Sequence, residues 1–275
     1  FGHADGWARW GGWRLLHPFG VPLFFLISGF VIPMTMDAAF ARARGRLGES
    51  GCAAGPWQRW RRVALPAVYA FAAARIARLY PAFIVASVVI WLVVTGSGLP
   101  GRGVSPQALA AHLSFAPRAI GYPFVDPVFW TLQTELVFYS LVAVVAAAGL
   151  RRWLIHILGV LVVLDGLGMG LDARWHMFLI GAVLHDAWRR ARAGAARGGF
   201  VPTHGVLLAI AAARIVIDRT ASGGWRLLPP RLWGEPIALL LSAGVVALVT
   251  RRRVPLLAHP WLVFLGSLSY GLYLI

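Results

Sequence analysis

The chain has 275 residues, 59% of them hydrophobic, and a mean hydropathy of +0.71, which is more apolar surface than one soluble core of ordinary composition can hide. Charged residues amount to 13% and cluster between long apolar runs, as expected of helices that satisfy their backbones inside a bilayer. The net charge of +16 comes from 26 arginines and no lysine; they bracket the apolar runs instead of forming one basic domain, which sets nucleic-acid binding aside in favour of orientation signals and lipid headgroup contacts.

Eight apolar runs, at roughly 18–36, 79–96, 127–149, 153–171, 175–190, 201–217, 235–250 and 262–275, approach the length needed to cross the hydrocarbon core, some only when tilted. The expected fold class is therefore all-α, a polytopic transmembrane helical bundle with about eight complete spans in a single transmembrane domain over 1–275. The chain begins at Phe1, with residues 1–3 read as the tail of a preceding span, and ends inside an apolar run at Ile275, so both ends read as truncated. With 18–36 running inward, the loops 37–78, 151–152, 189–200 and 251–253 are cytoplasmic and hold seventeen arginines against nine elsewhere, in keeping with the positive-inside rule.

The first span contains Gly20-Val21-Pro22-Leu23-Phe24-Phe25-Leu26-Ile27-Ser28-Gly29-Phe30. Ser28-Gly29 reads either as a small-residue notch for helix packing or as a place where a ligand approaches the backbone and takes a hydrogen bond from the Ser28 hydroxyl. The cytoplasmic loop 37–78 follows. Its Gly, Ala and Arg content up to Pro56 suggests flexible chain, and Trp57, Trp60, Arg61 and Arg62 suggest an interfacial helix at headgroup depth. Cys52, the single cysteine, has neither a disulfide partner nor neighbours at metal-ligand spacing, and no metal site is expected.

Arg75-Ile76-Ala77-Arg78-Leu79-Tyr80-Pro81 marks the cytoplasmic entrance of the next span. Arg75 and Arg78, three apart, share a helix face; they read as positive-inside anchors or as a guanidinium fork for phosphates. The Gly- and Pro-rich stretch 97–126 on the opposite side is expected to act as a short lid over a site. The span 127–149 carries Trp130-Thr131-Leu132-Gln133-Thr134-Glu135-Leu136-Val137-Phe138-Tyr139, in which Thr131, Glu135 and Tyr139 are four apart and form one polar stripe. An intramembrane carboxylate is costly unless it is paired or faces a wet cavity, so Glu135 is a functional candidate, with a buried ion pair to an arginine as the structural alternative. The eight histidines, among them His3, His17, His112, His176, His185 and His204, each read as structural when taken singly.

These motifs, in this order, together with Leu265-Gly266-Ser267-Leu268-Ser269-Tyr270-Gly271-Leu272-Tyr273-Leu274-Ile275, make the chain resemble the acyltransferase-3 family of integral membrane proteins across nearly its whole length. Members have about ten spans and O-acylate bacterial surface and secreted glycans and other hydroxylated acceptors. Their first span carries an essential histidine near its outer end, and His3 stands at the matching place; the basic residue that accompanies it would precede Phe1. The resemblance implies a membrane O-acyltransferase of the bacterial inner membrane that binds no permanent cofactor. It would take an acyl group, acetyl being the expected one, from cytoplasmic acyl-CoA. In that mechanism Arg75 and Arg78 hold the donor phosphates, His3 and Glu135 are catalytic, and Ser28, Trp130, Thr131 and Tyr139 line the substrate site. The partners implied are acyl-CoA, a hydroxylated glycan or lipid-linked acceptor, and membrane lipids. A polytopic exporter of a glycan or lipid-linked intermediate is the main rival, since a polar stripe in a helical bundle also suits transport; a purely structural scaffold fits the intramembrane Glu135 less well.

Overall fold

A computed structural model describes residues 17–46, 55–96, 105–115, 120–122, 125, 129–169, 174–194, 201–221 and 244, and among them there is no strand. The helices are α1 (His17–Gly45), α2 (Pro56–Arg59), α3 (Leu65–Gly96), α4 (Pro106–Leu113), α5 (Trp130–Ala147), α6 (Leu154–Gly166), α7 (Trp175–Arg192) and α8 (Pro202–Ala221). Three stretches are long and apolar enough to cross a membrane: Val21–Gly45, Trp60–Gly96 and Trp130–Ala147. They coincide with the first three expected spans. Of the others, α6 has 13 residues and rises only about 20 Å, α7 carries Asp186, Arg189, Arg190 and Arg192, and the apolar part of α8, Pro202–Ile217, is short. The expected spans 235–250 and 262–275 lie outside the described residues, apart from Gly244. Length and composition thus support three spans among the described residues, which leaves the expected count of about eight unconfirmed.

The helices overrun the expected spans for a local reason. A charge ends an apolar window but does not end a helix, and Asp37-Ala38-Ala39-Phe40-Ala41-Arg42-Ala43-Arg44 is rich in strong helix formers, so α1 continues to Gly45. Likewise the segment before residue 79 is not a loop. A π-helical turn at Trp60–Ala64 joins α2 to α3 and stands just before Pro66, where the missing N–H interrupts the regular ladder of the continuous helix. The expected interfacial helix is therefore the opening of a much longer one, with the Trp57 and Trp60 rings stacked at 5.1 Å. At 32 residues α3 rises about 48 Å, well beyond a hydrocarbon core of about 30 Å.

The described residues fall into two compact units, one made of those up to Ala38 and from Val145 onward, the other of those within Ala39–Val144. In the first, α6, α7 and α8 pack on one another. The crossing of α1 with α7 is backbone against backbone: a Cβ on Gly29 would lie 2.4 Å from the Phe178 carbonyl oxygen, and one on Gly181 would lie 2.2 Å from that of Leu26. Phe25 packs on Phe178 beside this crossing. The acidic side chains described in this unit are paired, within a helix or between helices. Arg214 of α8 grips Asp165 of α6 at 2.8 Å, and Asp186 of α7 accepts from Arg190 at 2.7 Å and from His204 of α8 at 3.0 Å. The other ring nitrogen of His204, Nδ1, accepts from the Val201 backbone N–H, which leaves Nε2 as the donor to Asp186. Asp37, near the end of α1, takes Arg151 at 2.9 Å, with the His185 Nε2 3.9 Å away.

In the second unit α4 packs on α3. Ser105 caps α4 by accepting from the Ala108 N–H at 3.2 Å, and Pro106 occupies the first turn. His112 is almost fully buried between Phe83 and Phe129, and Phe115 stacks on Phe83 at 4.1 Å. The stretch 97–126 therefore contains a helix docked through an aromatic cluster.

Candidate functional site

The polar stripe of α5 is buried. Thr131, Glu135 and Tyr139 are 2%, 3% and 6% exposed, so the four-residue spacing does place one polar face against protein. Within it the Tyr139 hydroxyl donates to Glu135 Oε1. This local bond fixes the carboxylate with respect to its own helix and satisfies one of its oxygens in a place where an unsatisfied charge is expensive. Trp130 is the half-buried first residue of the helix, and its carbonyl accepts from the Thr134 hydroxyl at 2.9 Å.

The third participant comes from α3. The Arg75 guanidinium lies over the Tyr139 ring and over the Phe71 ring, 5.6 Å from each centroid. The two rings meet edge to face at 6.3 Å. A guanidinium carbon within about 6 Å of a ring centroid is attracted by the ring's negative face, the more so away from water. Arg75 thus joins the two motifs that stood apart in the sequence. Arg78, one turn on, is exposed.

Depth along α5 places this contact. Tyr139 sits about midway in the 18-residue helix, roughly 12 Å from its Ala147 end. Arg75, over that ring, meets α5 about midway along its length.

Ser28 is buried on α1, in the other compact unit, next to the crossing at Gly29. The room made by the missing side chain of Gly29 is taken by the Phe178 backbone, so of the two readings of the Ser-Gly pair the structure realises the packing notch. His3 lies outside the described residues. Sequence reasoning passed over the pairs Asp165–Arg214 and Asp37–Arg151, whose only sequence signal is a charge in or beside an apolar run.

Membrane-length helices that bring together a buried carboxylate, a phenol and a guanidinium define a multi-pass helical membrane protein with a polar cluster between α3 and α5. Its family follows from the sequence profile described as an acyltransferase domain, that of the acyltransferase-3 family, which matches residues 1–275: the chain belongs to that family. No curated protein and no solved structure matches it. The protein is thus of an acyltransferase family.

Proposed function

We propose that the protein is a membrane O-acyltransferase of the bacterial inner membrane that moves an acyl group, acetyl in the simplest case, from cytoplasmic acyl-CoA to a hydroxyl of a glycan or other surface acceptor. The observation that carries this reading is Glu135, buried on a membrane-length helix of an acyltransferase-family chain and bonded by Tyr139. The donor's phosphates meet Arg78 of α3, which is exposed while Arg75 is engaged with two rings.

The acceptor oxygen attacks the thioester carbonyl, the carbon–oxygen bond forms and the carbon–sulfur bond breaks. His3 takes the hydroxyl proton during attack and returns it to the departing thiolate of CoA. Glu135 is the second catalytic group, and Thr131, Trp130 and Tyr139 of the same helix line the path of the substrates.

The test is transfer of radiolabel from acetyl-CoA to a glycan acceptor by purified full-length protein in vesicles. Labelled glycan is the expected outcome. Accumulation of glycan inside the vesicles with neither transfer nor hydrolysis of acetyl-CoA would overturn the reading in favour of transport.

A further inference from the structure

We infer that Arg75 is a positioning residue of the transfer site, the cation that holds Tyr139 and through it Glu135, and is not a ligand of the donor phosphates. The inference rests on the acyl-transfer reading above and assigns Arg75 a role within it.

Three observations carry it. The guanidinium lies over both the Tyr139 and Phe71 rings at 5.6 Å, two cation–ring contacts that restrain the side chain. The hydroxyl of the same Tyr139 donates to the buried Glu135. The contact also lies about midway along α5, whereas a phosphate ligand belongs where the charged end of acyl-CoA stays in water. One phenol therefore touches both groups, the guanidinium over its ring and the carboxylate at its hydroxyl. In a low-dielectric interior a positive charge over the ring draws electron density from the oxygen and strengthens the O–H donation to the carboxylate. Phe71 packs edge to face against that ring and offers the guanidinium a second aromatic neighbour. Without Arg75 the phenol loses its restraint, and Glu135 loses the direction in which its carboxylate points.

A ligand of the donor and a support of the catalytic carboxylate leave different kinetic traces. A positioning residue acts on kcat and leaves donor affinity alone; a phosphate ligand acts on donor affinity. Two residues acting through the same contact are non-additive, so Arg75→Ala should add nothing once Tyr139 has lost its hydroxyl.

The experiment uses full-length protein in vesicles and measures acetyl-CoA affinity, kcat and KM for Arg75→Ala, Arg75→Lys, Tyr139→Phe and the Arg75→Ala/Tyr139→Phe pair. The expected result is a fall in kcat of about tenfold for Arg75→Ala and for Tyr139→Phe, the size found for coupled neighbours, with donor Kd unchanged. The pair should be no slower than Tyr139→Phe alone, and Arg75→Lys, which keeps the charge and folds where the alanine variant fails to, should regain part of the rate. A weaker acetyl-CoA Kd in Arg75→Ala or Arg75→Lys with kcat preserved overturns the inference, as does a pair whose losses multiply. If the wild type transfers acetyl groups but Glu135→Gln is fully active, Arg75 has no catalytic carboxylate to position and the inference falls alone. If the wild type neither binds nor transfers acetyl-CoA, the acyl-transfer reading falls with it.

Discussion

Glu135 occupies a place where a carboxylate is tolerated only with help, on a helix of membrane-crossing length and with 3% of its surface exposed. The Tyr139 hydroxyl provides part of that help at the cost of one residue type four positions away. Glu135→Gln keeps the shape and the acceptor oxygen but removes the charge, so we expect acyl transfer to drop about 100-fold or more, measured as kcat in vesicles with normal protein abundance. Arg78 gives the contrasting case. Its side chain is exposed, and Arg78→Ala should raise the acetyl-CoA KM about tenfold with kcat held, as loss of one charge-assisted phosphate contact would. At this scale the i, i+4 stripe of α5 was legible, because helix periodicity alone puts Glu135 next to Tyr139. Arg75 was not, since no spacing rule links two helices separated by an intervening loop. The 49-residue separation of Asp165 and Arg214, and the 114 residues between Asp37 and Arg151, hid those pairs for the same reason.

Among the elements, α1 and α7 meet most closely. Gly29 and Gly181 let two backbones touch, and neither position has room for even one more carbon. Gly181→Ala should therefore destabilise the protein by about 1–3 kcal/mol through overpacking, visible as a lower thermal transition in detergent, with a partial loss of activity that follows the loss of folded protein. The sequence announced a notch at Ser28-Gly29 but not which partner filled it. Nor did it reveal that α1 and α3 continue past their apolar windows, because those windows register hydropathy, while Ala and Arg extend a helix irrespective of the medium. The extension changes the setting of Arg75 and Arg78 from a loop boundary to the interior of one continuous helix.

Taken as a whole molecule, the chain carries most of its arginines in the loops that the reading assigns to the cytoplasm, and one cysteine, Cys52, lies in the longest of these. A membrane-impermeant thiol reagent should label Cys52 in inverted vesicles and leave it unlabelled in right-side-out ones; the reverse pattern would invert the topology and with it the direction of transfer. The all-α class was legible throughout from composition, whereas the number of spans was not, since short or charge-bearing helices such as α6 and α7 escape simple length rules. The brevity of α5 has its own result. Eighteen residues rise about 27 Å, slightly less than the average hydrocarbon thickness of about 30 Å, and this is the helix that bears Glu135 and Tyr139. Lipids with longer tails must thin around it or force it to shift, so reconstitution across a series of chain lengths should give the fastest turnover in the shorter members. The acyl composition of the host membrane then becomes a control on the enzyme's rate, exerted without any ligand.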